Sequence, residues 1–474
     1  MPRALATALV VLTSAAVLVL EVLVVRLVAP YVGLTLETYT AAIGVALAAI
    51  ATGAALGGSL ADRVDPRRWL GLATALGGVL VLLARPTVFA VGDGFRGTGP
   101  AGSVVLVLLA VAPAAVVLSA VPPGVVKLVL RALDETGETV GRLSALGTLG
   151  ALAGTFLTGF VLLAAFPTST LLLLTGLVLL GVGVAVSVWG RRTPTTPLLA
   201  LLAGGVLGAG VLLALDGPCQ VETRYYCAQV VADPERPSGR TLVLDGLRHS
   251  YVDLDDPTHL EFAYTQRIGE VLAAQPDGPL DVLHLGLGGG TVPRHLAAVR
   301  PGSRSTVLEV DPQVVALDRA ELGLDEVSGL EVVVGDARTG IAEQPTDGFD
   351  VVVGDAFGSL AVPWHLATRE MAEQVSRVLR PGGTYVLNVI DNPPLAFARA
   401  EVATLGAVFA HVSVLAPRQL LEGEDGGNLV VVASDRPLRL GVDGRAFKGD
   451  AQVLTDDDAP VDQLLTPYGR APRT

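Results

Sequence analysis

The chain is short of the residues that usually carry metal or nucleophilic chemistry. Its 474 residues include two cysteines and six histidines, and none of these falls at a metal-ligand spacing. No Ser/His/Asp or Cys/His arrangement calls for a nucleophilic mechanism. Charged residues make up only 17% and aromatics 5%, while 51% are hydrophobic, so the apolar content is mostly aliphatic. A mean hydropathy of +0.57 is too high for a chain that is soluble throughout. Basic charge is scarce where a nucleic acid would need it. Residues 1–215 hold 12 Lys+Arg against 8 Asp+Glu, net +4; the remainder holds 21 against 38, net −17. So acidic a half repels phosphate backbones and excludes a nucleic-acid partner. It suits a cationic substrate, or simple solubility.

What the chain does have, first, is long apolar runs. They recur near residues 4–28, 38–60, 69–92, 101–121, 143–165, 169–189 and 198–215, each close to the roughly 20 residues that span hydrocarbon. This predicts an α-helical transmembrane domain over 1–215 with about seven spans in contact with membrane lipid. Arg3 ahead of an apolar core resembles a signal peptide, but more spans follow at once, so the first run is read as a retained span. Arg63, Arg67, Arg68, Lys127, Arg131, Arg142, Arg191 and Arg192 mark alternate loops as cytoplasmic. The expectation is a multi-pass plasma-membrane protein with its N-terminus in the cytoplasm. Seven spans then carry the second half outside, and one miscounted span would return it inside. Glu21 and Arg26 are expected as an interfacial pair. Gly53, Gly57 and Gly58 are expected at close helix contacts, and Pro122-Pro123 at the end of the fourth span. Residues 58–68, GSLADRVDPRR, resemble the loop between the second and third helices of major facilitator transporters, and read equally well as a basic cytoplasmic loop.

Leu215-Asp216-Gly217-Pro218 ends the apolar half. Cys219 and Cys227 follow at once. Two thiols are too few for structural zinc. They form either a disulfide, which requires an oxidising compartment, or a pair of reduced thiols in a hairpin. Residues 216–275 read as a small β-rich subdomain with a linking helix. Residues 276–434 alternate apolar strands with helices, which predicts a Rossmann-like parallel sheet covered on both faces. Residues 435–474 read as a C-terminal tail with a basic patch, prolines and Asp456-Asp457-Asp458, to which the sequence assigns no function.

Ligands of such sheets sit beyond the carboxyl ends of the strands, where the polar residues of this half gather. Gly286, Gly288 and Gly290 follow the apolar run DVLHL, and Glu309 ends the next strand about 20 residues later. That combination is a nucleoside-binding fingerprint: the glycines allow a close backbone turn, and the acid accepts hydrogen bonds from ribose hydroxyls. Asp336 and Asp355 end the third and fourth strands. His284, inside a strand, reads as a core histidine. His249, His259 and His365 lie in loops near the expected mouth.

These residues resemble a known family. The stretch from about Leu242 to Asp391 is similar to a spermidine synthase domain, which has the S-adenosylmethionine methyltransferase-type fold. Together with Arg26-LVAPYVG, the chain resembles bacterial proteins that fuse membrane spans to such a domain. The resemblance implies an LDG turn at Leu244-Asp245-Gly246. It implies an amine-pocket tyrosine at Tyr264, a ribose acid at Glu309, an adenine-side acid at Asp336 and a catalytic aspartate at Asp355. It also implies a nucleotide contact at His249, in place of the family's Gln, and a closing segment Val362-Pro363-Trp364-His365-Leu366. Gly289 and Gly358 depart from the pattern, since both positions are Asp in the family and hold amino groups there.

The leading expectation is therefore a membrane-anchored spermidine synthase-like transferase. It would bind S-adenosylmethionine or its decarboxylated form as co-substrate, use no metal, and pass an aminopropyl group to a small amine or polyamine, with a homodimer as the expected assembly. The alternatives are an S-adenosylmethionine-dependent methyltransferase and a non-catalytic nucleoside- or polyamine-binding domain that regulates a transporter-like membrane domain.

Overall fold

A computed structural model describes residues 2–33, 36–96, 98–130, 136–190, 195–215, 217–357, 362–437 and 440–465. The chain divides into two units, Met1–Cys227 and Ala228–Thr474.

Among the described residues of the first unit, seven helices are long and apolar enough to cross a membrane: Arg3–Val32, Leu36–Arg63, Leu70–Phe95, Pro100–Val129, Thr136–Ala165, Thr168–Trp189 and Thr195–Ala214. Pro122 and Pro123 do not end the fourth of these. They occupy the first turn of helix Val121–Val129, which takes over directly from Pro100–Ser119. Proline lacks an N–H that the first turn would leave unbonded anyway, so the pair restarts a helix as readily as it stops one. A Cβ on Gly53 would lie 2.3 Å from the Val116 carbonyl oxygen, and one on Gly57 2.3 Å from that of Ala120. Helices Leu36–Arg63 and Pro100–Ser119 thus meet backbone to backbone. Gly58 has open space around it and takes no part in this contact. At the same end of the unit Lys127 pairs with Asp62 at 3.0 Å.

At the opposite end, Cys219 and Cys227 are joined in a disulfide, with the two-residue strand β1 (Val221–Glu222) between them. Arg26 donates to the carbonyls of Thr223 (2.8 Å) and Arg224. Arg85 caps the last helix through the Leu212 carbonyl (2.6 Å), and Glu222 accepts from the Ser169 N–H (2.9 Å). Arg26 and Arg85 thus hold carbonyls that the helix end and the loop leave without partners.

The second unit opens with a small antiparallel arrangement of β2 (Cys227–Ala232), β3 (Gly239–Leu244) and β4 (Leu247–Asp253). Asp245 (φ 49°) and Gly246 (φ 79°) form the two-residue turn between β3 and β4. Two successive positive φ angles match the right-handed twist of a hairpin, which explains the Asp-Gly. Helix Ala263–Ala273 leads to the main sheet of β5 (Asp281–Leu285), β6 (Arg304–Glu309), β7 (Leu330–Val334), β8 (Phe349–Gly354), β9 (Leu379–Asp391), β10 (His411–Leu415), β11 (Gly427–Ser434) and β12 (Val442–Asp443). Its order is β12-β10-β11-β9-β8-β5-β6-β7.

Strands β5 to β9 pair in parallel. β10, β11 and β12 extend the sheet through antiparallel pairs, so the sheet is mixed rather than wholly parallel. Leu429–Ala433 is buried residue by residue, and such a run does not reveal strand direction. The chain runs outward from β5 through β6 to β7, then returns to place β8 and β9 on the other side. That switch point, at the carboxyl ends of β5 and β8, is where sheets of this kind bind their ligands. Phe447, Leu454 and Val461 lie in the same core as Phe397, Val402 and Leu405, so residues set apart as a tail are packed into the body as far as the description reaches.

Candidate functional site

The glycine loop follows β5 directly. Gly286, Gly288 and Gly290 have φ of 94°, 53° and 73°, a region that residues with a Cβ enter only under strain. Gly286 N–H donates to the Leu308 carbonyl (2.9 Å). A Cβ there would stand 2.6 Å from the Asp355 carbonyl oxygen, so the loop runs tight against the end of β8. Helix Thr291–Val299 begins at once after Gly290.

Glu309 ends β6, and only 8% of it is exposed. Its carboxylate accepts from the N–H of Leu287 in the glycine loop and from that of Asp311, both at 2.9 Å. Burial raises its pKa and these N–H groups oppose the rise. Each carboxylate oxygen keeps a lone pair, so the acid can fix the loop and still accept from a hydroxyl.

Asp355 lies just past β8, across the switch point. Its Oδ1 accepts from Asn388 Nδ2 (2.8 Å) and its Oδ2 from the Tyr264 hydroxyl (3.3 Å). Asn428 in turn donates to Asn388 Oδ1 (3.0 Å). Burial lifts Asp355 to a pKa of about 6, with the Asn388 and Tyr264 bonds pulling it down. Burial and the neighbouring carboxylate push Tyr264 well above the usual phenol range. Asn388 was missed in the sequence, although an amide in the middle of the apolar strand YVLNVI is a visible signal: a polar group buried there needs a partner.

His249 is the extra residue of a β-bulge. Leu242 pairs with Ser250 and Val243 with Arg248, leaving His249 between them. Bulges re-aim a strand next to functional sites, and here the His249 carbonyl lies 3.4 Å from the Tyr264 hydroxyl. Burial lowers the imidazole to a pKa of about 4, so it is neutral at physiological pH. The next residue, Ser250, accepts from Gly289 N–H at 2.7 Å, and Thr291 Oγ1 donates to the Tyr251 carbonyl at 2.9 Å. β4 is thus fastened to the glycine loop. Sequence reasoning missed Ser250. A Cβ on Gly289 would stand 2.5 Å from Ser250 Oγ and 2.9 Å from Leu322 Cδ1, so an acid at 289 would require both of these side chains to shift. Gly358 lies outside the described residues.

Asp336 and His365 form a second group. Asp336 caps helix Ala337–Gly340, accepting from the N–H groups of Arg338 (2.9 Å) and Thr339 (3.2 Å). Its other oxygen is 3.2 Å from His365 Nε2. Asp336 and His365, 29 positions apart in the chain, are therefore in contact. His259 is engaged by Arg236 and Glu261. His284 is a core residue bonded to Ser305 Oγ at 3.2 Å, and burial lowers its pKa to about 3. Among the described residues no cluster of three His, Cys, Asp or Glu could hold a metal ion.

The second unit is therefore an α/β domain of the methyltransferase type, with a nucleoside-style loop and a buried acid at its switch point. Residues 282–383 match the methyltransferase domain family. Within that class the chain is similar to polyamine aminopropyltransferases. It is 32% identical over 142 residues to the polyamine aminopropyltransferase of Chromobacterium violaceum, covering 29% of this chain and 53% of that one. It is 29% identical over 288 residues to the polyamine aminopropyltransferase of Mycobacterium tuberculosis, covering 56% and 54%. The chain spans about half the length of these curated relatives. A solved structure of a probable spermidine synthase from Corynebacterium glutamicum is 30% identical and covers 50% of this chain and 95% of its own, with a TM-score of 0.47.

Proposed function

We propose that the second unit is a spermidine synthase-like transferase. It binds decarboxylated S-adenosylmethionine or S-adenosylmethionine and transfers an aminopropyl group to an amine. The observation that carries this reading is Asp355, a buried acid with a pKa near 6, with one oxygen bonded to Asn388 and the other to Tyr264, set against the glycine turn. Glu309 would hold the ribose hydroxyls, and Asp336 with His365 would border the base.

The chemistry asks little else of the protein. The amine lone pair attacks the carbon next to the sulfonium; the new C–N bond forms as the C–S bond breaks, and the leaving group is a neutral thioether that needs no acid. Before attack the acceptor ammonium must shed a proton. Asp355 would take it, since a carboxylate raised toward neutrality is a better base than an exposed one. Tyr264 and Asn388 fix its orientation, so alignment is set before the reaction.

Gly289 favours a second reading, methyl transfer. Around it stand Ser250, Val252 and Leu322, none of which would repel the carboxylate of intact S-adenosylmethionine. Calorimetric binding of both donors to the detergent-purified full chain separates the two readings. Tighter binding of the decarboxylated donor is the expected result. Tighter binding of S-adenosylmethionine would replace aminopropyl by methyl transfer, and binding of neither would leave a non-catalytic domain.

We further propose that the first unit anchors the protein in a membrane with the N-terminus in the cytoplasm and the second unit outside. Seven apolar helices, basic loops at one end and the disulfide at the other support this. Alkaline phosphatase fused to the C-terminus is expected to be active in intact cells. Inactivity there, with activity of a cytosolic reporter at the same point, would overturn the outside placement and put the site within reach of a cytosolic donor.

A further inference from the structure

The acidic triplet 456–458 has no part in the reading so far, yet it lies on a network that reaches the candidate site. Asp456 Oδ2 accepts from Arg338 Nη2 at 2.5 Å, and its Oδ1 accepts from the Thr368 hydroxyl at 2.7 Å. Its own N–H donates to Glu370 Oε2 (3.0 Å). Arg338 is the residue whose backbone N–H is capped by Asp336, and its Nη1 reaches the His365 carbonyl (3.4 Å) and Thr368 Oγ1 (3.3 Å). Thr368 caps helix Arg369–Val378, which begins just after the closing segment. Two residues before Asp456, Leu454 is fully buried; its N–H donates to Thr404 Oγ1 (2.8 Å) and its carbonyl accepts from Arg369 N–H (2.9 Å). Val461, buried on the same core, holds the far side.

We propose that residues 449–465 form a strap that fixes the closing segment 362–366 against Asp336, and that Asp456 is its positioning residue. The strap is pinned to the core on both sides of Asp456, which leaves that carboxylate in a set place. From there it binds two groups, Arg338 and Thr368, that flank the closing segment from opposite directions in the chain. Charge-assisted bonds to a guanidinium are among the stronger hydrogen bonds, and here they do not need the side chain to be ordered afresh. Without Asp456, Arg338 keeps its contacts to the His365 carbonyl (3.4 Å) and Thr368 Oγ1 (3.3 Å) but loses its shortest bond. The functional side of the proposal rests on the nucleoside-site reading, since Asp336 and His365 border the base only under that reading.

Two measurements on the full chain keep the two ideas separable. Hydrogen exchange without ligand tests the strap alone. Asp456→Ala is expected to speed exchange across residues 362–371 about tenfold, while Asp457→Ala, which removes the same charge one position on, leaves it unchanged. Asp456→Asn, which keeps the shape and one acceptor, should fall between them. Unchanged exchange in Asp456→Ala overturns the strap. So does exchange that rises equally in β2–β4, because Asp456 would then act on general stability. Calorimetry with S-adenosylmethionine tests the link to the site, with a roughly fivefold weaker Kd expected in Asp456→Ala. Faster exchange with an unchanged Kd overturns the positioning role. Faster exchange in a chain whose wild type binds no adenosyl nucleoside supports the strap and sinks the nucleoside reading instead.

Discussion

Asp355→Asn is expected to lower turnover by about 10²–10⁴-fold while leaving donor affinity within about twofold. The replacement is nearly isosteric, and the local bonds accommodate it. Asn388 Nδ2 still finds an acceptor if the new amide turns its oxygen that way, and the new NH2 can then donate to the Tyr264 hydroxyl oxygen. What is lost is the carboxylate alone. In the unsubstituted chain kcat/KM should rise with pH through about 6, where Asp355 ionises, and that limb should vanish in the variant. Stability runs the other way. Because the folded pKa lies above the ordinary carboxyl value, the folded state holds this proton more tightly. The Asp355 contribution is therefore full at acid pH and falls as pH rises toward and through 6. The variant carries no such penalty and should melt no lower than the parent at pH 8. A transferase thus predicts lost turnover in a protein at least as stable. Retained turnover would remove Asp355 from the chemistry. Unaltered binding in a chain with no measurable turnover to lose would make the domain a binding module.

The parts of this site legible in the sequence are those where a buried strand meets solvent. β5, β6 and β8 are apolar runs because both faces are covered, so the first polar or glycine residue after each marks the carboxyl end. Gly286, Glu309 and Asp355 are conspicuous for that reason. Asp336 was legible because it follows the apolar run of β7, although that edge strand is largely exposed; its pairing with His365 was not, because it depends on how the chain returns after β8. Ser250 and His249 sit on a small sheet whose bulge is fixed by pairing between β3 and β4, which no local pattern discloses. The strand direction of β10 and β11 was hidden because uniform burial erases periodicity. The packing of residues 442–464 was hidden because Phe447, Leu454 and Val461 are isolated apolar residues in polar surroundings, and only the core they meet shows them to be inside. Pro122-Pro123 and Gly58 were misread for a shared reason: a residue type that permits a feature does not select which side of it, or which neighbour, it serves.

The second large effect is expected at Gly286. In Gly286→Ala the new Cβ would meet the Asp355 carbonyl oxygen at 2.6 Å, the Asp355 carbonyl carbon at 3.0 Å and the Ala356 Cα at 3.1 Å. All three are backbone atoms, so no side chain can rotate aside. The φ of 94° adds strain of its own, on the order of 1–3 kcal/mol for a residue with a Cβ. Relief requires either the glycine turn or the end of β8 to move, and both carry the site: one is bonded to Glu309 through Leu287, the other bears Asp355. Gly288→Ala is the informative comparison. Its φ is also positive, at 53°, but the nearest atoms to a Cβ are Ser250 Cβ at 3.6 Å and Oγ at 3.7 Å, an ordinary contact. Gly286→Ala should therefore lower the melting temperature of the second unit well below that of Gly288→Ala and weaken donor binding tenfold or more. Gly288→Ala should melt within a few degrees of the parent, with any loss confined to binding, because the added methyl would stand where a ligand approaches the loop. Equal melting of the two variants would mean that the turn does not press on β8, and Asp355 would then have to be held at the crevice by Asn388 and Tyr264 alone.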